Sequence, residues 1–351
     1  MTKIILLLDA WEPVVGGGQK LFLELATRLI KNHNCSIQVI TRSLKDEQGK
    51  KFNKNENLLN GKLKIIRLGI ATQWQNLFSR ILFIFQATIY ALKQDCDLYL
   101  ASTFLPAFSL KLIRLFKSTP NCLVVIGFGA VNKFYIWLEK FITQTLKFDL
   151  LITDDYNFYQ QVNNKRNIQF IPNGVSLPRR VKAGLPRQIR IKKWPDFTFL
   201  FVARNEPRKG ADILFKAFDQ IKKKSPNIKL RVFGPGFKKI SQSQLHQEFF
   251  KAHCLVLPSL REGHPLVLFE SWAHQLPVIA TKVGSVPQFV NKNNGYLINA
   301  NNIPQLVKAM KLAISNKNLN ELGRNGYNLV SKNYSWDKTI KSYYQAFKVC
   351  P

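Results

Sequence analysis

At 351 residues with 46% hydrophobic content, the chain is long enough for about two domains with real cores. Its longest apolar run, ILFIFQATIYAL from Ile81, is well short of the ~20 residues a membrane-spanning helix needs. Fifty-two Lys and Arg against 21 acidic residues give a formal charge of +31, which suits anionic ligands or surfaces, yet no RNP-like, zinc-finger or helix-turn-helix signature turns that charge into specific nucleic-acid recognition.

The first stretch, KIILLLDAW, reads as a buried strand, and Gly16, Gly17 and Gly18 precede a helix starting near Gln19. Glycines there let backbone approach a phosphate or sugar, although the run lacks G-x-G-x-x-G spacing and equally suits a purely structural loop. CSIQVIT, LKIIRLG, DLYLAS, NCLVVIGFG, FDLLITD and IQFIPNG follow as strands, with helical stretches interspersed. Strands alternating with helices in this way predict βαβ units, a parallel sheet and a doubly wound α/β domain.

Two stretches in this half are apolar with basic insertions: Trp74 to Lys93, and FSLKLIRLFKS from Phe108. Each reads either as a helix in a membrane interface facing anionic headgroups, or as a core-facing helix with a basic solvent side. Asp95 and Asp97 form a D-x-D, but Asp97 opens a strand and no third ligand is near. His33, His246, His253, His264 and His274 show no metal-binding spacing, so no metal is expected. Cys35, Cys96, Cys122, Cys254 and Cys350 are scattered without a C-x-x-C pair, which favours free thiols. With no signal peptide visible, the expectation is a cytoplasmic protein, with the inner face of the membrane as its surface if it associates with one.

Ser176 to Asp196 is rich in prolines and basic residues with little periodicity, and is the candidate linker. A second α/β series begins at Phe197 with FTFLFVA, IKLRVFG, HCLVLPS, PVIAT and GYLIN, and helices around Ile303, Leu319 and Trp336 close the chain. The expected organisation is two Rossmann-like lobes facing across a cleft. They are residues 1–178 on the acceptor side and 179–335 binding the donor, with a terminal helix, 336–351, returning to the first.

The richest stretch is Leu260 to Val286. Pro265 stands where a first helical position would be, and Leu266, Val267, Phe269, Trp272 and Ala273 recur at helical spacing up to about Gln275. A loop with Gly263 entering a helix aims unpaired N–H groups outward and makes an anion site. Glu262 and Glu270, spaced E-x7-E, flank it and suit sugar hydroxyls; alternatively Glu262 caps the helix and Glu270 is solvated. After FLFVA, Arg204 and Lys209 sit at the carboxyl end of a strand, where cationic groups offset a diphosphate.

VARNEPRKG, RVFGPG, LVLPSLREGHPLVLFESWAHQLPVIATKVGSVPQFV, NGYLI and IPNGV together resemble the family 4 retaining glycosyltransferases, which have the GT-B fold. The resemblance covers the second lobe well and the first mainly through GGG. It implies a nucleotide-diphosphate sugar as donor substrate, no cofactor, and a glycan or lipid-linked acceptor. By position, Arg204 and Lys209 would hold the diphosphate, Glu270 the ribose, and Glu262 with the Gly263, His264, Pro265, Leu266 and Val267 backbone the transferred hexose. Gly17 and Gly18 would close on the phosphates, and the implied front-face displacement leaves Glu262 a sugar-binding and electrostatic residue. Departures are Phe128 where relatives carry an active-site histidine, Ser176 for Asp, Gln288 for Glu, and a short segment after Gly236 that bears on base recognition. The alternatives are a catalytically degenerate relative serving as a basic membrane- or partner-binding subunit, and a same-fold epimerase or phosphorylase.

Overall fold

The computed structural model describes residues 1–14, 16–45, 49–72, 76–102, 105–126, 141–142, 145–162, 167–178 and 192–350. The chain divides into two compact units, Met1–Pro172 with Thr339–Pro351, and Asn173–Lys338. Phe128, Trp74 and most of the proline-rich linker lie outside the described residues.

In the first unit the described elements are β1 (Lys3–Leu8), α1 (Gly17–His33), β2 (Ser36–Leu44), β3 (Asn55–Leu58), β4 (Leu63–Thr72), α2 (Leu77–Leu92), β5 (Leu98–Ser102), α3 (Leu105–Arg114), β6 (Asn121–Val125), β7 (Leu150–Thr153), α4 (Tyr156–Val162) and β8 (Ile168–Phe170). The strands lie in the order β3-β4-β2-β1-β5-β6-β7-β8. All pairings are parallel except β3 with β4. Strands covered on both faces carry continuous apolar runs, as in β6 and β7, where every residue is buried. The edge strand β3, NENL, has neither alternation nor β-branched residues, so nothing in its sequence announces it.

In the second unit come β9 (Phe197–Val202), a 3₁₀ turn (Pro207–Lys209), α5 (Ala211–Lys222), β10 (Ile228–Phe233), α6 (Gln242–Lys251), β11 (Cys254–Leu257), α7 (Leu266–Ala273), β12 (Val278–Thr281), α8 (Val286–Phe289), β13 (Gly295–Ile298), α9 (Ile303–Ser315) and α10 (Leu319–Asn333); α11 (Trp336–Lys348) starts there and belongs to the first unit from Thr339 on. The sheet is parallel throughout, in the order β10-β9-β11-β12-β13. Winding therefore reverses between the neighbours β9 and β11, and the loops at their carboxyl ends border the crevice where such sheets take ligands.

The units part at Pro172/Asn173 and Lys338/Thr339, not at the expected 178/179 and 335/336. The reason is local. Val175 N–H donates to Tyr334 O at 2.8 Å, and Gly174 lies so close to Trp336 that a Cβ would stand 2.6 Å from its Cα, which draws the IPNGV segment into the second unit. From Thr339 onward α11 packs with the first: Thr339 Oγ1 donates to Pro172 O at 3.2 Å, and Tyr344 stacks on His33 with ring centroids 3.9 Å apart.

Helix α7 is largely buried within the second unit, with Leu268, Phe269 and Trp272 withdrawn from solvent. Trp272 is fully buried and its Nε1 donates to Asn294 O at 3.1 Å. Helix α10 lies against it because Gly326 has no side chain: a Cβ there would stand 2.0 Å from Trp272 Cδ1. A glycine that costs about 1 kcal/mol in a helix interior is offset here by close packing.

Candidate functional site

The site builds from two loops at the winding reversal of the second sheet. The loop after β9 carries Arg204, Asn205, Glu206, Arg208 and Lys209, the last in the 3₁₀ turn opened by Pro207. The loop after β11 carries Ser259, Glu262, Gly263, His264 and Pro265. Lys209 Nζ reaches Glu262 Oε1 at 2.7 Å, and Ser259 Oγ donates to the same oxygen at 2.7 Å. Leu260 N–H donates to Arg208 O at 2.8 Å, so backbone and side chains both join the loops.

The pair joins two side chains to which the resemblance gives neighbouring parts of one ligand, the diphosphate to Lys209 and the transferred sugar to Glu262. The Glu262 side chain is 5% exposed and that of Lys209 15%, so neither charge is freely solvated and each fixes the other. An ammonium has three donors; Glu262 takes one, and the rest stay available to an anionic ligand. Thr281 Oγ1 donates to Ser259 O at 2.6 Å, extending the network to the end of β12.

The loop is held from its other side by β12 and its successor. Ser285 N–H donates to Gly263 O at 2.9 Å. Gly284 has φ +54°, and a Cβ there would stand 1.7 Å from Glu262 O, so only glycine allows that approach.

Helix α7 begins one residue later than its proline suggested. Pro265 is the N-cap, with extended backbone, and Leu266 is the first helical residue. No side chain caps this end and its first turn holds no acid, so Glu262 is not the helix cap. Leu268 N–H is bound to Pro265 O, whereas Leu266 and Val267 N–H have no partner among the described residues. Two such groups at a helix start, with the dipole behind them, are an anion site. The helix ends at Ala273, with Gln275 in the left-handed region at φ +56°. Glu270 lies within the helix, half-buried.

Arg204 is held differently: its Nε is 3.1 Å from Glu206 Oε1, while Arg208 Nε is 2.8 Å from Glu206 Oε2. Half of the Arg204 side chain is exposed. Glu206 bridging two guanidiniums leaves a net positive group beside the Lys209–Glu262 pair in the same loop. Sequence reading missed Glu206 and Ser259. The R-x-E-x-R spacing was a usable signal for the first; nothing marked the serine.

His264 faces inward, its ring edge-on to Phe269 and Phe289 at 4.5 and 5.1 Å, and its ring nitrogens have no partner among the described residues. Burial pushes it down to about 3, so it is a neutral packing residue and only its backbone lies in the loop. His274 is likewise buried and pushed down to about 4, chiefly by burial. Its Nδ1 donates to Glu270 O at 2.6 Å and its Nε2 accepts from His246 Nδ1 at 2.8 Å, which anchors the end of α7 to α6. No cluster of three metal-ligating side chains occurs among the described residues.

In the first unit, Gly17 and Gly18 open α1 at the carboxyl end of β1, and winding reverses there between β1 and β5. The N-cap is Gly16, with no side-chain cap and no acid in the first turn. Asp9 at the same strand end accepts from Arg42 Nε at 3.1 Å and lies 3.2 Å from Arg80 NH2, a cluster the sequence did not reveal.

Residues 186–243 and 236–329 match the family model for glycosyl transferases group 1. An uncharacterized glycosyltransferase of Haemophilus influenzae is 28% identical over 237 residues, 60% of this chain and 64% of that one. The UDP-Gal:α-D-GlcNAc-diphosphoundecaprenol α-1,3-galactosyltransferase of Escherichia coli is 27% identical over 240 residues, 58% of this chain and 62% of that one. The matched segments thus span less than two thirds of these relatives. The sucrose-phosphate synthase of Thermosynechococcus elongatus has a similar fold, with TM-score 0.82 at 17% identity over 99% of this chain and 98% of that one. Residues 186–329 are thus similar to the glycosyl transferases group 1 family, and the two Rossmann-like units have the GT-B fold.

Proposed function

We propose that the chain transfers a hexose from a nucleotide-diphosphate sugar, with retention of configuration, to a glycan or lipid-linked acceptor in surface polysaccharide or glycolipid assembly. The observation that carries this reading is the Lys209–Glu262 pair at the winding reversal, with the Leu266 and Val267 N–H groups, which have no partner among the described residues, at the start of the following helix. The E. coli relative, by its name, uses UDP-Gal and a diphosphoundecaprenol-linked acceptor, which supports a donor and acceptor of these classes.

In this reading the diphosphate lies against the start of α7, with Lys209 and Arg204 on its oxygens. Leaving-group departure builds negative charge on the diphosphate, and preorganised cations and N–H groups lower the barrier by being in place beforehand. Glu262 aligns the Lys209 ammonium and offers its remaining lone pairs to a sugar hydroxyl; Glu270 takes the ribose hydroxyls. The acceptor hydroxyl loses its proton to the leaving phosphate on the same face of the sugar, so the protein supplies no nucleophile. Charge compensation comes from these side chains and the helix start, without a dedicated cofactor.

The test is transfer of labelled sugar from a panel of nucleotide sugars to an acceptor-containing membrane extract. Wild type is expected to transfer from one donor class, and Lys209→Ala, Glu262→Ala and Glu270→Ala to lose transfer while keeping their fold. Full activity in all three variants contradicts the assignment.

A further inference from the structure

The sequence left two readings for α2, and the structure shows an outward face that is apolar, not basic. Phe78 is 70% exposed, Phe85 56% and Ile89 57%, and Leu77 and Ile81 are exposed beside them. These positions recur every three or four residues and so form one stripe along the helix. The opposite face, with Phe83, Ala87 and Ala91, is fully buried in the core. The single charged residue of α2, Arg80, is turned away from the stripe to Asp9. Helix α3 packs beside α2, with Ser109 Oγ donating to Ile84 O at 3.2 Å, and its end exposes Leu115 and Phe116 next to Arg114 and Lys117.

Basic groups rim the stripe. Lys93 follows α2 directly, and a cavity of about 400 Å³ is lined by Lys54 and Lys93 together with Leu68, Gln86, Ile89 and Tyr90. Exposed apolar side chains of this size on one helix face signal an interaction surface. A second copy of the chain would bring another +31 charge to that surface, whereas an anionic bilayer is attracted to it. Aromatic and branched aliphatic side chains edged by lysines match the boundary between acyl chains and headgroup phosphates.

We infer that the outward face of α2 and the end of α3 seat the chain on an anionic membrane surface, with Phe78, Ile81, Phe85 and Ile89 in the acyl boundary and Lys54 and Lys93 on headgroup phosphates. The inference goes beyond sugar transfer and needs no donor to be tested.

The experiment is co-sedimentation of the full chain with phosphatidylcholine vesicles, with and without phosphatidylglycerol. Wild type is expected to bind the anionic vesicles and to bind the neutral ones far more weakly. The variant Phe78→Ser/Phe85→Ser/Ile89→Ser is expected to lose roughly tenfold or more of that binding. Its melting temperature is expected to be unchanged, because the replaced side chains are exposed. Lys54→Glu/Lys93→Glu is expected to weaken binding to anionic vesicles alone. No vesicle binding, binding untouched by the triple substitution, or a wild-type dimer that the triple variant dissolves without change in vesicle binding would each overturn the inference. Vesicle binding of the expected kind with no nucleoside diphosphate binding would fault the sugar-transfer proposal and leave this one standing.

Discussion

Lys209 Nζ lies 2.7 Å from Glu262 Oε1, so the loop after β9 and the loop after β11 are locked by one ion pair across the winding reversal. Because both side chains are largely withdrawn from water, removing one partner leaves the other charge poorly solvated. A double-mutant cycle with Lys209→Met and Glu262→Gln, read by urea unfolding, is expected to give a coupling of about 1–3 kcal/mol. Additive effects would mean the pair does not hold the loops.

Arg204 offers a contrast within the same loop. Its ion pair with Glu206 is half-exposed, and such pairs contribute little to stability. Arg204→Ala is therefore expected to leave the unfolding midpoint within about 0.5 kcal/mol of wild type. Nucleoside diphosphate affinity is expected to fall even so, and calorimetry on the folded variant separates the two effects.

Gly284 tests the loop from behind. Its positive φ and the 1.7 Å approach of a Cβ to Glu262 O leave no room for alanine. Gly284→Ala is expected to lower the melting temperature by ~4–8 °C, the equivalent of about 2 kcal/mol, and to displace Glu262. Gly326→Ala, which strikes Trp272 and not the loop, is expected to destabilise comparably while the donor affinity of the folded fraction is kept.

The buried histidines set an acid limit. His264 and His274, pushed down by burial to about 3 and about 4, stay neutral in the fold but take a proton in the unfolded chain below its ordinary value of 6.5. The unfolded state then binds more protons, so stability is fully present above pH 6.5 and falls as pH drops toward 4. The slope approaches about 1.4 kcal/mol per pH unit for each histidine. Unfolding curves of wild type and His264→Phe across this window are expected to diverge, the variant losing less; parallel curves would show that His264 is solvated.

Much of this was legible in the chain. Apolar runs such as VIAT and CLVL could only be strands covered on both faces, and spacing around Leu266 and Trp272 announced α7. The residues proposed for the site could also be picked out, from charge at strand ends and a glycine before a helix. Their partners were not: Lys209 and Glu262 are 53 residues apart, and only the order β10-β9-β11 brings their loops together. The apolar face of α2 was hidden for a related reason. Sequence shows that Phe78 and Phe83 are both apolar, but which of them meets the core depends on how the helix lies on the sheet. Strand β3 was unreadable because its residues have no strand preference and its pairing comes from β4.

The central claim is that the Lys209–Glu262 pair and the start of α7 grip a diphosphate. Titration calorimetry of UDP and other nucleoside diphosphates into wild type and Lys209→Ala tests it directly. The account predicts binding of at least one nucleotide by wild type and a loss of roughly 10- to 150-fold in the variant, the value of a charge-assisted hydrogen bond. Equal affinity in the two proteins, or no nucleoside diphosphate bound by wild type, would contradict it.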